Sequence, residues 1–445
     1  MVLIYDAIIV GGGPAGIAAA VRIAQLSGKP VIIEEDCLGG VCTNWGCIPT
    51  KAMLASAKLA HAAMHAPKVG VSLEVSIDFR KIVRHRDEQI KISQEHNKEI
   101  LESYGVEVMQ GKGILKDKNH VVVEGKEIEG GNIIICTGSE SKTIPGLPTN
   151  DRVLTSKEMV SIRELPKRLV IIGGGVIGLE FASLFAYLGS KVVVIEACER
   201  LLSGEDPEIS AEIKNALESF GVTIALSAKV TGIDDRQVKT EGKGYMYDKV
   251  LLAVGRSPAL DVLVIEKLGI TYDKMGIVIN ERMQTSLKNV YAIGDATGRS
   301  VLAHVGTRQA VVAANTIMGM KDEMPSCIPR CVYSIPEIAC AGKTEKEAKS
   351  PKVFIYPLSM NAKAQLEGYP EGFIKVILEK DVIVGFQMIG HNVTELVHEA
   401  TLIVENKMKA RDIAKTIHAH PTIGESIKLT VQMAIGECVD VPKGM

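Results

Sequence analysis

The sequence is poor in aromatic side chains and has almost no net charge. Its 445 residues include one Trp, ten Tyr and seven Phe, and 51 Lys and Arg stand against 53 Asp and Glu. A protein without a basic excess or clustered aromatic side chains lacks the usual means of holding a nucleic acid. We therefore expect no nucleic-acid partner.

Long apolar runs are also absent. No stretch remains uncharged over the about 20 residues that a membrane-spanning helix requires. The apolar stretch at residues 1–33 is interrupted by Asp6 and has no basic region before it. We therefore expect no membrane partner, no signal peptide and a cytoplasmic location.

The nine cysteines do not form a recognisable framework. An odd number scattered over a long chain is not typical of a disulfide-stapled secreted protein. Cys37, Cys42 and Cys47 follow one another at intervals of five, which is not a zinc-ligand spacing, and we expect no metal site. With 46% hydrophobic and 23% charged residues, the composition predicts a globular protein of about two to four domains.

A glycine-rich motif occurs twice, each time directly after a short apolar run. Residues 7–10 precede the first copy and residues 169–172 precede the second. Each copy fits G-x-G-x-x-G between a buried strand and a helix, where the glycines let a pyrophosphate approach the helix N-terminus. The residues predicted to bind the cofactors are Gly11, Gly13, Pro14, Ala15 and Gly16 in the first copy, and Gly173, Gly175, Val176, Ile177 and Gly178 in the second.

An acidic residue follows each copy at the same distance. Glu34 comes eighteen residues after Gly16, and Glu196 comes eighteen residues after Gly178. A carboxylate there can accept hydrogen bonds from a ribose 2′-hydroxyl, so the two units predict two bound dinucleotides. A 2′-phosphate would be repelled by Glu196, and the first basic residue after it is Arg200. The second site should therefore take NAD rather than NADP.

Cys42 and Cys47 are separated by four residues in the segment after the first unit. A disulfide that closes so short a loop would stabilise the fold by only about 2 kcal/mol. A reversible redox bond at a helix N-terminus, where thiol pKa values fall, explains the pair better. Two unlinked buried thiols remain the alternative on spacing alone.

The segment around this pair resembles the class I flavoprotein disulfide reductases, which are pyridine nucleotide-disulfide oxidoreductases. The shared signature is G-G-x-C-x-x-x-x-C-I-P, and the ending C-I-P-T-K is most similar to the dihydrolipoamide dehydrogenases. The resemblance extends over nearly the whole chain. Further segments that resemble family motifs are 137–139 and 253–256 at two crossovers, 285–295 in the FAD site, 332–337 at the start of the interface domain and 418–425 at the catalytic end.

This resemblance implies an α/β fold with two Rossmann-like domains, one for FAD and one for NAD, and an α+β C-terminal dimerisation domain. The implied segments are 1–143 for the first part of the FAD-binding domain, 144–260 for the NAD-binding domain, 261–323 for a central segment on the FAD side and 324–445 for the dimer-interface domain. Within the last segment, apolar runs at 373–378 and 382–388 predict a hairpin.

The resemblance also implies an activity, the NAD-dependent oxidation of dihydrolipoamide by a homodimer with a shared active site. The substrate would be free dihydrolipoamide or a lipoyl-bearing protein of a 2-oxo acid dehydrogenase or glycine cleavage complex. Cys47 would exchange electrons with FAD, and Cys42 would exchange with the substrate disulfide. Lys51 would lie near the flavin and pair with Glu180.

The implied general acid and base is His420, which Glu425 would hold, with His418 as the rival base. The family further assigns cofactor contacts to a larger set of positions. These are Glu34, Glu35, Gly40, Val41, Cys42, Lys51, Gly113, Thr137, Gly138, Ser139, Gly294, Asp295, Leu302, Ala303, His304, Glu196, Val230, Ala253, Val254, Gly255 and Arg256.

Other activities remain open at this stage. A mercuric reductase should carry a cysteine pair near its C-terminus, where only Cys438 stands, and a glutathione-type reductase should carry Arg in place of Glu196. A reductase of another disulfide and a non-catalytic flavin-binding scaffold are further alternatives, although the cysteine pair and His420 argue against the scaffold. Trp45 and the additional thiol of Cys37 depart from the usual family pattern.

Overall fold

The computed structural model describes residues 5–442, so residues 1–4 and 443–445, at the ends of the first and last predicted segments, lie outside the described residues. The N-terminal part begins with alternating strands and helices. In chain order its elements are β1 (Tyr5–Val10), α1 (Pro14–Gln25), β2 (Pro30–Glu34), α2 (Gly40–Trp45), α3 (Cys47–His65), α4 (Phe79–Ser103), β3 (Glu107–Gln110), β4 (Ile114–Leu115), β5 (His120–Val123), β6 (Lys126–Ile135) and β7 (Ser139–Ser141).

Six of these strands and one later strand form the first sheet, in the order β3-β2-β1-β6-β5-β4. β1 pairs in parallel with β2 and with β6. Ile8, Ile9 and Ile32 are fully buried, as expected for parallel strands that are covered on both faces. α1 begins at Pro14, whose missing N–H is no loss in a first helical turn. The first glycine motif therefore lies at the end of the central strand.

The second unit repeats this arrangement. Its elements are β8 (Val153–Thr155), α5 (Ser156–Val160), β9 (Arg168–Ile172), α6 (Val176–Tyr187), β10 (Lys191–Ile195), α7 (Pro207–Ser219), β11 (Thr223–Ala225), β12 (Val230–Ile233), β13 (Gln237–Thr240), β14 (Lys243–Met246), β15 (Lys249–Leu252), β16 (Arg256–Pro258) and α8 (Val262–Lys267). A parallel sheet in the order β11-β10-β9-β15-β8 places the second glycine motif between β9 and α6.

Helix α6 is apolar and buried on nearly all sides. Its Phe181 and Leu184 belong to one core cluster with Met53 and Leu54 of α3 and with residues of the C-terminal part, including Ile338. A helix that is hydrophobic all round must be covered on every face. α6 therefore ties the second unit to both other parts of the chain.

The chain then returns to the first sheet. β17 (Val290–Ala292) pairs in parallel with β6, and α9 (Ala303–Ile317) packs against α1. β7, which follows β6, pairs in antiparallel fashion with β16, which follows β15. The two crossover segments therefore lie side by side between the sheets.

The C-terminal part has a different architecture. Its elements are β18 (Arg330–Val332), β19 (Glu337–Gly342), β20 (Lys352–Pro357), α10 (Ala362–Glu367), β21 (Gly372–Glu379), β22 (Val382–Gly390), α11 (Val393–Glu405), α12 (Ala410–Ala414) and α13 (Glu425–Ala434). The strands form one antiparallel sheet in the order β18-β19-β22-β21-β20. The predicted hairpin is confirmed as β21 and β22, and the predicted fold class is confirmed as well.

No helix within residues 5–442 has the length and apolar character needed to cross a membrane.

A fully buried lysine joins the C-terminal sheet to the second unit. The Nζ atom of Lys375, on β21, lies 3.0 Å from Asp206, 2.9 Å from Glu208 and 2.8 Å from Glu345. Burial opposes the charge of Lys375, but its hydrogen bonds to the three carboxylates raise its pKa. The carboxylate oxygens lie within 4.8 Å of one another, so the ammonium group fills the position that a cation would take.

We predict that Lys375→Met destabilises the protein by about 3–5 kcal/mol, because the buried Asp206 carboxylate loses its counter-charge. Thermal unfolding followed by circular dichroism should show a lower midpoint, and millimolar Ca²⁺ should restore part of the loss in the variant alone. Lys363→Met, which breaks an exposed pair with Glu367, is the matched control and should change stability by less than about 1 kcal/mol. Equal effects of the two substitutions would contradict this account.

Candidate active site

Nearby backbone carbonyl groups require glycine at the first and third glycine positions of each motif. Gly11 and Gly173 have φ angles of +116° and +113°, and a Cβ on either would lie 2.3 Å from a carbonyl oxygen just beyond a neighbouring strand. A Cβ on Gly16 or Gly178 would lie 1.9 Å or 2.0 Å from the carbonyl oxygen of the first glycine. A side chain fits at none of these positions, so the sequence dictates this local backbone.

The middle glycine of each motif leaves room for a ligand. A Cβ built on Gly175 would have no atom of the described residues within 4 Å, and one built on Gly13 would first meet Gly40 at 4.0 Å. α1 and α6 begin at the next residue, so their first backbone N–H groups face this space. Both motifs therefore fit a pyrophosphate.

The two acidic residues make the same contacts in both units. Glu34 accepts hydrogen bonds from the N–H of Gly12 at 2.6 Å and of Asp36 at 2.8 Å. Glu196 accepts from the N–H of Gly174 at 2.6 Å and of Cys198 at 2.7 Å. These bonds hold each carboxylate beside its glycine turn.

Arg200, the first basic residue after Glu196, is held away from that site. Its guanidinium donates to the carbonyl oxygens of Ser203 and Glu205, both at 2.8 Å. A group that already binds two carbonyls offers little to a 2′-phosphate. The geometry therefore agrees with NAD as the ligand.

Three residues predicted to bind cofactor meet where the two crossovers pair. Ser139 donates to the carboxylate of Asp295, and the Nε of Arg256 donates to the hydroxyl of Ser139 at 2.8 Å. Burial lowers the pKa of Arg256. Gly294 lies against Ala15, since a Cβ on Gly294 would be 3.5 Å from that of Ala15. The second FAD motif therefore adjoins the first glycine turn.

Six of the other predicted cofactor residues directly follow parallel strands, at the edge where α/β sheets bind their ligands. Leu302 and Val176 line a cavity of about 270 Å³ between the first unit, the second unit and the C-terminal part, together with Cys331. His304 has its Nε2 atom 2.9 Å from the carbonyl oxygen of Pro329. Of the residues after parallel strands, Glu35 follows β2, Thr137 and Gly138 follow β6, and Ala253, Val254 and Gly255 follow β15. The remaining residues lie elsewhere: Gly40 and Val41 begin α2, Gly113 precedes β4, Val230 begins β12 and Ala303 begins α9.

Cys42 and Cys47 face each other across the join of two helices. Cys42 lies in α2, and Cys47 is the first residue of the 19-residue helix α3. The hydrogen bond from Cys42, supported by the charge of Lys51, lowers the pKa of the Cys47 thiol. The same hydrogen bond, together with burial, raises the pKa of Cys42. One thiol of the pair therefore ionises easily, whereas the other keeps its proton.

Lys51 and Glu180 form the predicted ion pair. The Nζ atom of Lys51 lies 2.8 Å and 2.7 Å from the two carboxylate oxygens of Glu180, and the Glu180 side chain is only 6% exposed. Glu180 also accepts a hydrogen bond from the N–H of Tyr333 at 3.1 Å, and Lys51 lies 4.7 Å from the centre of the Tyr333 ring. α3, α6 and the segment after β18 therefore meet at this carboxylate.

The two candidate bases occupy different environments. His420 is 70% exposed, and its Nδ1 lies 3.1 Å from both carboxylate oxygens of Glu425. His418 is 10% exposed, and its Nε2 lies 2.9 Å from Glu399. An exposed imidazole can reach a substrate, and among the described residues none binds the Nε2 of His420, so His420 stays the predicted base.

A reciprocal pair of hydrogen bonds in the turn before α13, which the sequence analysis missed, orients Glu425. The N–H of Thr422 donates to Glu425 at 3.0 Å, and the N–H of Glu425 donates to the Thr422 hydroxyl at 3.3 Å. This is the reciprocal pattern of a capping box, and its T-x-x-E signature was readable in the sequence. Glu399, the partner of His418, had no comparable local signal because it lies on α11.

The two departures from the family pattern lie together. Cys37 and Trp45 line a cavity of about 240 Å³ that also includes the buried Arg86. The Nζ atom of Lys157 lies 3.8 Å from the centre of a Trp45 ring. Burial and the neighbouring Asp36 raise the pKa of the Cys37 thiol. Cys37 therefore lacks the ionisation that marks Cys47.

The sequence matches the pyridine nucleotide-disulphide oxidoreductase family over residues 5–311 and the dimerisation domain of that family over residues 328–431. The chain belongs to this family. It is an NAD-dependent flavoprotein disulfide oxidoreductase, with FAD and NAD as its cofactors. The glycine motifs and their acidic partners fit both groups.

Individual relatives agree with this assignment. A dihydrolipoyl dehydrogenase of Bacillus subtilis is 36% identical over 97% of this chain and 99% of its own, and one of Chlamydia muridarum is 35% identical over 98% of each. The HOCl-induced flavoprotein disulfide reductase RclA from Escherichia coli superposes with a TM-score of 0.87 at 27% identity, over 96% of this chain and 100% of its own. LpdA from Mycobacterium tuberculosis, with a TM-score of 0.89 at 24% identity over 96% and 99%, shares the fold.

We predict a preference of at least about tenfold for NADH over NADPH, because Glu196 and a 2′-phosphate about 5 Å apart would repel by about 3 kcal/mol before screening. Glu196→Arg should narrow or reverse this preference, measured as kcat/KM for each nucleotide. Glu241→Arg, in the turn between β13 and β14, makes the same charge change elsewhere in this unit and should leave the ratio as it was. Equal efficiencies in the unmodified protein would refute the role of Glu196.

Proposed function

We propose that the protein oxidises dihydrolipoamide to lipoamide, free or on a lipoyl-bearing protein, with NAD⁺ as the final electron acceptor. The observation that carries the proposal is the placement of two adjacent cysteines at the join of α2 and α3, the second of which also carries Lys51 of the Lys51–Glu180 ion pair. The full-length relatives named as dihydrolipoyl dehydrogenases support this substrate. A cytoplasmic location suits such chemistry, because thiols stay reduced there.

Cys42 acts as the interchange thiol in this proposal. A substrate thiolate attacks the Cys42 sulfur of the Cys42–Cys47 disulfide and releases Cys47 as a thiolate. The second substrate thiol then attacks the sulfur that is bonded to Cys42, which closes the lipoamide disulfide and releases Cys42. Two electrons and two thiol hydrogens leave the substrate, and the cysteine pair is reduced.

FAD, when bound, supplies the chemistry that carries this electron pair from the cysteines to NAD⁺. The lowered pKa of Cys47 suits a thiolate that exchanges electrons rather than protons. Lys51 stabilises that thiolate by its charge, and Glu180 holds Lys51 in place. The buried Glu180 is itself neutralised by Lys51, so this end of the site stays ordered with little net charge.

His420 takes the proton from the attacking substrate thiol and later returns a proton to Cys42. An imidazole is suited to both transfers near neutral pH, and such a group typically contributes about 10²- to 10⁴-fold. Glu425 contacts the Nδ1 of His420 and so orients the ring. The hydrogen bond to Cys47 and burial raise the pKa of Cys42, which suits a thiol that receives this proton.

We propose that His420 serves the cysteine pair of the partner subunit in a homodimer. His420 belongs to the segment that matches the dimerisation domain. It is largely exposed, and the neighbouring apolar Ile417 is 94% exposed, so this part of the loop is available to contact a second chain. A shared site explains both exposures.

We predict that the purified protein reduces NAD⁺ with dihydrolipoamide far faster than it uses NADH to reduce glutathione disulfide or mercuric ion. Steady-state assays of the three substrates on one preparation test this, with Cys42→Ser as the control that removes the interchange thiol. Faster turnover with either alternative acceptor would transfer the assignment to that reaction. Loss of FAD in the Cys42→Ser control would show damage to the fold, and Cys42→Ala would then replace it.

We predict that two inactive subunits restore activity when mixed. His420→Gln and Cys47→Ser chains should each lose nearly all turnover. A mixed dimer then contains one site with an intact cysteine pair from one chain and an intact histidine from the other. Activity near half that of the wild type per mixed dimer is expected. If mixing restores nothing although subunit exchange is demonstrated by mass spectrometry, His420 acts within its own chain.

A further inference from the structure

The loop that carries His420 has little backbone structure of its own. Residues 415–424 connect α12 to α13, and both His420 and Ile417 are exposed within it. Side chains provide most of its anchors. On the N-terminal side of His420, His418 binds Glu399. On the C-terminal side, Thr422 and Glu425 bind each other. The position of His420 thus depends on what holds Thr422.

Asn361 holds Thr422 from a rigid element. It is only 2% exposed, and its Nδ2 group donates to the carbonyl oxygen of Thr422 and to the hydroxyl of Ser426, both at 3.0 Å. Its Oδ1 accepts from the N–H of Ala364 at 3.0 Å and so caps α10. Each polar atom of this buried amide therefore has a partner.

Core packing fixes the position of Asn361. Leu358 and Ala364, on either side of Asn361, are 0% and 1% exposed and belong to the same core cluster as Ile427 of α13. A donor on such a frame holds its acceptor within a narrow range of positions. The loop is therefore tied to the core just after the exposed histidine.

We propose that Asn361 is a positioning residue for the reaction, which acts on His420 through Thr422 and Glu425. The contacts form one path. Asn361 binds the Thr422 carbonyl, the Thr422 N–H binds Glu425, and Glu425 binds the Nδ1 of His420. This inference rests on the proposed function, because it requires His420 to be the base. A misplacement of about 1 Å can cost about 10²-fold in rate.

Asn361→Asp separates this role from helix capping. Aspartate caps a helix as well as asparagine does, so the bond from Ala364 is kept. The second oxygen, however, faces the Thr422 carbonyl where a donor is needed. Ser426→Ala is the matched control, because it removes the other partner of Nδ2 and leaves the bond to Thr422 intact.

Turnover of dihydrolipoamide by Asn361→Asp should fall about 10- to 100-fold, within the range of a misaligned base. NADH oxidation with ferricyanide, which takes electrons without a proton transfer by His420, should stay within about twofold, as should the FAD content. The pH profile of kcat/KM for dihydrolipoamide should also lose or shift the limb that reports the base. Ser426→Ala should keep both activities within about threefold.

The double variant decides between positioning and general support. In a His420→Gln background, Asn361→Asp should cause no further loss, since the group it positions is gone. The proposal would be overturned if Asn361→Asp lowered turnover in the His420→Gln background as much as it does in the wild type. It would also be overturned if Asn361→Asp and the uncharged Asn361→Ser each lowered dihydrolipoamide turnover and ferricyanide reduction equally. If His420→Gln alone leaves dihydrolipoamide turnover intact, the proposed base is wrong. A normal Asn361→Asp beside an impaired His420→Gln refutes only the positioning role.

Discussion

The whole arrangement depends on one buried carboxylate, Glu180, where the three parts of the chain meet. It belongs to the helix after the second glycine motif, it neutralises a lysine on the helix that starts with Cys47, and it accepts the N–H of Tyr333 from the C-terminal part. A buried charge is tolerated only with such partners. Because these partners come from two other parts, the redox helix, the nucleotide unit and the dimerisation domain are oriented together. The large core cluster around α6 completes this junction with apolar contacts.

The features that could be predicted from the sequence are those with a local physical cause. The glycines at 11, 16, 173 and 178 are required by carbonyl oxygens about 2 Å from any Cβ, and this requirement leaves a visible pattern. The acidic residues after each motif follow from the fixed length of one strand–helix–strand unit. The hairpin of β21 and β22 follows from two apolar runs joined by a short turn. The domain boundaries and the individual site roles stay predictions.

The features that escaped prediction depend on contacts between distant segments. Lys375 gave no sign that it would be buried, because its three carboxylates come from residues 206, 208 and 345 and meet only in the folded chain. Asn361 is 61 residues from Thr422. The capping box of Thr422 and Glu425 is different, since its signature is local and was available. The pairing of His418 with Glu399 also depends on the fold, because Glu399 lies on α11 and meets the loop histidine only in the folded chain.

The Lys375 cluster also limits how this protein can be recombined with its relatives. The lysine belongs to the C-terminal sheet, whereas Asp206 and Glu208 belong to the nucleotide unit, and Asp206 is itself buried. In a chimaera that joins this nucleotide unit to a C-terminal domain without a lysine at the position of Lys375 in β21, the buried Asp206 carboxylate would lack its counter-charge. The nucleotide unit and the C-terminal domain each have their own sheet, but they must be exchanged together. A fusion of either one to a relative has to keep Lys375 on one side of the boundary and Asp206 on the other.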